Sequence, residues 1–258
     1  MTKCPICQGQ EYVIENDRVR DCECFKSKRR RLVLEKLGIP RSFEFAKLSD
    51  YDIRTDASGE TLSEKDAKQK TTARAVVTAF IDEIPRLVGG ETFAYEGGHS
   101  SPTLVMLGQR SSGKTLLAAC ITLAGVERNL PVHYYQWAEV MESCSQFDNP
   151  KAEELLARIK RSLDSRSLVV IDNLDSSYEF GEGSGDRRPL STGIVRKLDY
   201  LFVGRAQNAA PLVITTDQNP SQLGAGKFGP VVTSLFDDAN KIKLPTMGRG
   251  KDQHIIGE

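Results

Sequence analysis

The sequence lacks a long apolar run and an excess of charge of either sign. No hydrophobic segment approaches the roughly 20 residues that a membrane-spanning helix needs, and residues 1–4 contain no apolar leader segment. The 35 basic and 35 acidic side chains give a formal net charge of zero, so bulk charge does not make this chain a binder of nucleic acid. We therefore expect a cytoplasmic protein without membrane contact, in which a local patch makes any contact with nucleic acid.

Cysteine is scarce, and no internal repeat is visible. The chain has six cysteines among 258 residues, and in a reducing compartment thiols bind metals or stay buried instead of forming disulfides. Four of them form two close pairs separated by fourteen residues: Cys4 and Cys7, then Cys22 and Cys24. Four thiolates suit tetrahedral zinc, so the pairs predict a zinc site; a redox pair at Cys4 and Cys7, or scattered thiols, are the alternatives. The segment is too short to build its own core, so a bound metal would supply its folding energy.

Residues 108–115 read G-Q-R-S-S-G-K-T, which matches the phosphate-binding P-loop. A β-prone run at 103–107 precedes the motif, and a helix-prone run at 116–120 follows it. Glycines let successive backbone N–H groups face a phosphate, and the N-terminus of the following helix attracts the same anion. A glycine-rich turn before a core helix is the alternative. The pattern predicts ATP binding by Gly108, Arg110, Ser111, Ser112, Gly113, Lys114, Thr115 and Leu116.

Two side chains are candidates to hold the Mg²⁺ ion that accompanies ATP. Thr115 offers a hydroxyl group, and Asp172 ends the apolar strand 168–172, while Lys114 is expected to reach the β and γ phosphates. Asp172 as an ordinary turn residue is the alternative. Asp217 follows the next apolar strand and is a candidate for sensing the γ-phosphate or positioning water, with simple turn chemistry as its alternative.

Apolar strands alternate with helical segments through most of the chain. The strands are expected at 103–107, 132–135, 168–172, 212–216 and 241–244, the last of them at an edge. This alternation is typical of a parallel sheet that helices cover on both faces. We therefore predict a three-layer α/β/α P-loop domain at 71–258, preceded by a small zinc-binding module at 1–37 and a polar linker at 38–70.

A basic stretch follows the second cysteine pair. Residues 26–31 contain five Lys or Arg side chains. They could contact nucleic-acid phosphates, form a solvated helix face, or dock on an acidic partner. The sequence leaves these three interpretations open.

Taken together, these features resemble the DnaC/DnaI-type helicase loaders, which are ATPases of the AAA+ class. The N-terminal part of the resemblance consists of the cysteine pairs, the basic stretch, and Gly38-Ile39-Pro40 ahead of Phe43. The C-terminal part consists of the P-loop, the strand that ends at Asp172, Arg205, and the strand at 211–216. The transposition helper IstB is similar over the ATPase part.

The resemblance implies cofactors and partners as well as a fold. The cofactors would be ATP, Mg²⁺ and Zn²⁺. The N-terminal module would bind a hexameric replicative helicase, and the AAA+ part would bind ATP and single-stranded DNA. Assembly of the protein into a spiral or ring would also be expected.

Several positions depart from the pattern of this family, and all of them bear on hydrolysis. Asn173 stands where the family has an acid that activates water, and an amide cannot act as a general base. Asp217 replaces the usual Asn sensor, and Ser234 stands where an arginine finger is usual, a group whose loss costs ~10³-fold or more in rate. Arg249 could match the second sensor, and Arg205 remains as a further candidate cation. The sequence therefore leaves open whether the protein is an ATPase.

The resulting prediction is ATP-dependent loading of a replicative helicase onto single-stranded DNA. ATP binding would act as the switch, and hydrolysis would be weak. A transposition helper ATPase and a non-hydrolysing protein adaptor are the alternatives. A nucleotide or nucleoside kinase shares the P-loop, but the sequence shows no acceptor site.

Overall fold

The computed structural model describes residues 4–15, 18–56, 59–94, 100–145, 150–174, 191–217 and 228–245. The chain divides into two compact units, Met1–Phe45 and Ala46–Glu258. The second unit therefore includes most of the segment that the sequence predicts as a linker.

The first unit is a β-hairpin followed by a helix. Strands β1 (Tyr12–Glu15) and β2 (Arg18–Asp21) pair antiparallel, while the turn at 16–17 lies outside the described residues. Helix α1 (Glu23–Leu37) ends at Gly38, whose φ of 72° is left-handed and favours glycine. A short 3-10 turn follows at Arg41–Phe43.

A five-stranded parallel sheet forms the centre of the second unit. Its strands are continuous apolar runs, as expected when both faces are covered. The order across the sheet is β4-β5-β6-β3-β7, so the last strand lies at an edge, as predicted. The strands are β3 (Thr103–Leu107), β4 (Val132–Gln136), β5 (Leu168–Asp172), β6 (Leu212–Thr216) and β7 (Asn240–Lys243).

Helices pack on both faces of this sheet and complete three layers, which confirms the predicted fold class. One face meets α3, which contacts β4, β5 and β6. Alternate strand residues such as Val105 and Ile171 point to the opposite face and join a buried cluster with α4, α5, α6 and α7. The helices are α2 (Glu64–Val88), α3 (Lys114–Glu127), α4 (Trp137–Ser145), α5 (Pro150–Asp164), α6 (Thr192–Asn208) and α7 (Pro230–Asp237).

Helix α2 begins seven residues earlier than the predicted domain boundary at residue 71. The Ser63 hydroxyl caps it by accepting a hydrogen bond from the Asp66 N–H at 3.2 Å. Its apolar face, which includes Phe80 and Ile84, is buried. Within the part of the chain that the structure describes, we find no helix with the length and apolarity needed to cross a bilayer.

Candidate nucleotide site and cysteine cluster

The P-loop connects the end of β3 to the start of α3, at the carboxyl ends of the parallel strands. Gly113 caps α3 with a φ of 90°, and Ser111 also has a positive φ, of 63°. The Gly108 N–H donates to the carbonyl of Thr216 at 3.1 Å, which ties the start of the loop to the end of β6. The loop therefore has a fixed, curled backbone beside two strand ends.

The Lys114 ammonium lies across this loop. It donates hydrogen bonds to the carbonyls of Gly108 at 2.6 Å and Gln109 at 2.8 Å, and the residue is 7% exposed. These contacts hold a buried positive charge over the curled backbone. A phosphate anion bound in the curve of this backbone would be strongly attracted to the Lys114 charge.

At two positions of the loop, neighbouring side chains leave no room for a Cβ atom, so glycine is required there. A Cβ atom on Gly108 would lie 2.6 Å from the Ser112 Oγ. A Cβ atom on Gly113 would lie 2.5 Å from Cε2 of Tyr51, whose ring is buried against the loop. Larger residues at either position would push these side chains away from the phosphate-binding backbone.

Lys70 fixes the segment that carries Tyr51. Its ammonium donates to the carbonyls of Asp52 at 2.8 Å and Thr55 at 2.9 Å, and it lies 5.1 Å from the centre of the Tyr51 ring. Burial lowers the pKa of Lys70, while Asp52 opposes that shift. Residues of the predicted linker thus support the P-loop directly.

Asp172, at the end of β5, is surrounded by hydroxyl groups. Its Oδ1 accepts hydrogen bonds from Thr215 at 2.5 Å and from Thr115 at 3.3 Å, and its Oδ2 accepts one from Tyr134 at 2.7 Å. Burial raises the pKa of the Tyr134 phenol, and the charge of Asp172 raises it further. Tyr134 therefore stays protonated and remains a donor at neutral pH.

Thr115 and Asp172 fit the magnesium role that the sequence predicts. The hydroxyl of Thr115 and the carboxylate of Asp172 are hard oxygen ligands, which Mg²⁺ prefers, and they lie 3.3 Å apart beside the loop. Bound at this point, Mg²⁺ would neutralise phosphate charge, while the Asp172 carboxylate would orient it.

Other predicted site residues lie near these strand ends or outside the described chain. Asn173 is exposed and has a φ of 61°, and its N–H donates to the Thr215 hydroxyl at 2.7 Å. Asp217 is exposed directly after β6. Ser234 is exposed on α7, with its hydroxyl 3.4 Å from Asp238. Arg249 lies outside the described residues.

The expectation that Arg205 takes part in catalysis is not supported. Arg205 is 1% exposed, and it donates to the carbonyls of Ser162 and Ser167 at 2.8 Å each. Ser167 precedes β5, so this contact lies at the amino ends of the strands, whereas the P-loop lies at their carboxyl ends. Burial lowers the pKa of Arg205 to about 9. Arg205 therefore joins α6 to α5 and β5, and it is too deeply buried to reach a nucleotide on a neighbouring molecule.

The four N-terminal cysteines form one cluster. Their Sγ atoms all lie within 4.8 Å of one another, with 3.9 Å between Cys4 and Cys22 and 3.3 Å between Cys7 and Cys24. Sulfurs at the corners of a tetrahedron around zinc, with bonds of about 2.3 Å, are about 3.8 Å apart. The cluster therefore fits a zinc ion.

Backbone hydrogen bonds hold both cysteine pairs in place. The Gln10 N–H donates to the Cys7 carbonyl at 2.9 Å, and the Cys22 N–H donates to the Glu11 carbonyl at 2.9 Å, which links the two pairs. The N–H groups of Cys7 and Ile6 lower the pKa of the Cys4 thiol. At this sulfur the hydrogen bonds favour the thiolate form that binds metal, whereas the contact with Cys7 raises the pKa of the Cys24 thiol. The other two cysteines, Cys120 and Cys144, are buried in α3 and α4.

Sequence reasoning missed three residues that shape the nucleotide site. Tyr134 and Thr215 reach Asp172 from the strands on either side of β5, and Tyr51 reaches Gly113 from a separate segment. The only available signal was the Thr215-Thr216 pair at a strand end. Tyr134 gave none, because a tyrosine in a buried strand is ordinary core composition.

Solved structures share this fold at low sequence identity. A crystal structure of the DnaC helicase loader aligns with 80% of this chain and 100% of its own, at 15% identity and a TM-score of 0.52. A crystal structure of DnaI aligns with 84% of this chain and 98% of its own, at 18% identity and a TM-score of 0.51. The replication initiator DnaA bound to AMPPCP and single-stranded DNA aligns with 80% of this chain, at 13% identity and a TM-score of 0.52.

The fold and the P-loop define the chain as a P-loop protein with the AAA+ fold. More particularly, its fold is the one found in the solved structures of DnaC and DnaI, which confirms the fold that the resemblance to these loaders implied. The alignment spans about half, 51%, of the DnaA chain. No family model matches this sequence, and no curated protein matches it either.

Proposed function

We propose that this protein loads a replicative helicase onto single-stranded DNA, with ATP binding as the switch. The observation that carries the proposal is the combination, in one chain, of a four-cysteine module with a P-loop domain that has the loader fold. The alignments with DnaC and DnaI, which cover 80% and 84% of this chain, support it, since a shared P-loop core alone would be equally compatible with many other activities.

The candidate nucleotide site supports ATP and Mg²⁺ as its ligands. Lys114 presents a buried ammonium over the loop, and Thr115 and Asp172 present oxygen atoms beside it. Binding of the triphosphate would draw the P-loop and the carboxyl ends of β5 and β6 together, because all three contribute residues to the site. Such a shift is a means by which ATP could change the protein's affinity for its partners.

Hydrolysis in this proposal is slow. Asn173 offers no carboxylate to activate water, and Ser234 is exposed on α7 where a finger arginine is expected. The protein would then hold its ATP-bound state for long periods. This property is compatible with a loader, which acts once for each helicase that it loads.

The first unit supports a role in partner docking. Ile14 and Val19 lie opposite each other across the hairpin and are 67% and 70% exposed, and Ile6 is 67% exposed. Apolar side chains grouped at a surface mark interaction sites. We assign this hairpin to helicase binding. In the basic stretch, Lys28 and Arg31 are paired with Glu11 and Glu35, so contact with DNA phosphates would have to displace these carboxylates.

The proposal is tested by capturing the hexameric replicative helicase of the same organism with the full chain. We expect capture by the wild-type protein and its loss in Ile14→Asp/Val19→Asp, with ATP binding retained. Lys114→Ala should weaken ATP binding roughly 10- to 100-fold, because it removes charge-assisted contacts, and should abolish ATP-dependent transfer of the helicase to single-stranded DNA.

Control variants separate these effects from misfolding. Tyr200→Ser changes a side chain on α6 that is 66% exposed and should not affect capture. Lys65→Ala changes an exposed lysine of α2 and should not affect ATP binding. If the wild-type protein captures no helicase with or without ATP, the loader proposal fails. If Lys114→Ala loads helicase normally, the role of ATP as a switch fails.

A further inference from the structure

We propose that Tyr134 is a positioning residue for the magnesium site: its hydroxyl holds one oxygen of Asp172 so that the other faces Thr115. This inference rests on the proposed nucleotide site and extends it to a residue outside the P-loop and outside β5. It concerns the geometry of a carboxylate, and therefore the affinity for Mg²⁺ rather than the affinity for the nucleotide alone.

The two oxygens of Asp172 have different partners. Oδ2 accepts from the Tyr134 hydroxyl at 2.7 Å, and Oδ1 lies near Thr115 and Thr215. A carboxylate that accepts hydrogen bonds through only one of its oxygens can still rotate about its Cβ–Cγ bond. Donors on both oxygens fix its plane, so Oδ1 is kept on the side where the P-loop threonine lies.

The strand register explains how Tyr134 reaches this position. Tyr134 pairs with Val170 on β5, two residues before Asp172. Its side chain extends along the strand toward the carboxyl end of β5, where it reaches Asp172. The adjacent Tyr135 points to the opposite face, where its hydroxyl donates to Ser162 at 3.0 Å. Two neighbouring buried tyrosines thus make different contacts, and of these two only Tyr134 contacts Asp172.

The hydroxyl of Tyr134 makes a hydrogen bond that packing alone does not require. A phenylalanine would fill the same buried volume, and tyrosine is chosen at such places when its hydroxyl has a partner. Here that partner is the candidate magnesium ligand. Groups that hydrogen-bond to a metal ligand without binding the metal themselves typically contribute 10- to 100-fold in metal affinity.

The test compares Mg²⁺ dependence with nucleotide binding in the full chain. A fluorescent ATP analogue is bound first in EDTA and then during titration with MgCl₂. In Tyr134→Phe we expect the Mg²⁺ concentration for half-maximal effect to rise about tenfold or more. Affinity in EDTA should stay at the wild-type value. Asp172→Asn sets the upper limit for loss of the metal effect.

Tyr135→Phe is the matched control. It removes one buried tyrosine hydroxyl from the same strand, but on the face away from Asp172. It should leave both the EDTA affinity and the Mg²⁺ midpoint unchanged. Tyr134→Met, whose flexible side chain also lacks a donor, replaces Tyr134→Phe if the latter does not fold.

The outcomes separate this inference from the function on which it rests. A Tyr134→Phe protein with the wild-type Mg²⁺ midpoint would overturn the positioning role while leaving the nucleotide site intact. A parallel loss of affinity in EDTA would show that Tyr134 is merely structural, and would also overturn it. Failure of the wild-type protein to bind the analogue under any condition would remove the proposed nucleotide site itself.

Discussion

Asn173 combines two properties at one position. Its backbone is left-handed, with a φ of 61°, a conformation that asparagine tolerates better than most residues other than glycine. Its side chain cannot accept a proton from water. The residue after Asp172 is thus suited to the local backbone and unsuited to general-base catalysis, which links the shape of the strand end to the slow turnover that we propose.

We predict that a carboxylate at this position accelerates hydrolysis. Asn173→Glu should turn over ATP at least tenfold faster than Asn173→Gln, since a well-placed general base contributes roughly 10²–10⁴-fold. The two variants have side chains of the same length and similar backbone cost, and they differ in the carboxylate. Steady-state phosphate release measures both. Equal rates, or a wild-type turnover above about 1 s⁻¹, would contradict the assignment of Asn173 as the missing base.

At this scale, the sequence alone indicated those candidate residues that belong to a local motif. Lys114 and Thr115 belong to one continuous motif, and Asp172 ends an apolar run, so each had a signal in the chain. Tyr134 had no such signal, because its contact with Asp172 depends on the pairing of β4 with β5. Arg205 was only a further candidate cation, and the structure places its hydrogen bonds at the amino ends of the strands, away from the P-loop.

Helices α5 and α6 approach each other closely at Gly204. A Cβ atom at this position would lie 2.8 Å from Cα of Asp164, which is backbone and cannot move aside. The contact lies next to Arg205, whose guanidinium binds the Ser162 carbonyl near the end of α5. The glycine therefore sets the distance between two helices, and that distance keeps the arginine's hydrogen bonds in place.

We predict opposite effects from alanine at two glycines of α6. Gly204→Ala should lower the free energy of unfolding by about 1–3 kcal/mol, because it overpacks the contact with α5. Gly193→Ala should raise it by up to about 1 kcal/mol, because its Cβ meets nothing closer than 4.0 Å and alanine is the better helix former. Urea unfolding measures both variants. A neutral Gly204→Ala would contradict the close packing of α5 against α6.

Apolar periodicity predicted most elements but missed one helix start. The five strands of the sheet were predicted within two residues, because buried parallel strands are continuous apolar runs. The first two turns of α2 carry mostly polar side chains, and the buried residue there is Lys70, whose ammonium binds backbone carbonyls and lies over the Tyr51 ring. A hydrophobic pattern cannot report a helix turn whose buried residue is a lysine.

The whole chain consists of two units with different sources of stability. The second unit has an extensive buried apolar cluster on one face of its sheet. In the first unit, the hairpin strands are largely exposed, and Cys7 and Cys22 are among its few buried residues. The sequence predicted this contrast from the cysteine spacing, but it ended the N-terminal module at residue 37, before Ile39 and the 3-10 turn that the first unit includes.

This contrast predicts that removing metal unfolds one unit and spares the other. A zinc chelator, or the double variant Cys22→Ser/Cys24→Ser, should abolish amide-exchange protection in residues 4–22, because four thiolates without metal leave this unit with little buried surface. The thermal midpoint of the second unit should stay within about 2 °C, since less than about 1 kcal/mol of its stability depends on the metal. Cys120→Ala alters a buried thiol of α3 and should retain one equivalent of zinc. Less than half an equivalent in the purified wild-type protein, or a hairpin still protected after chelation, would show that something other than metal stabilises the first unit.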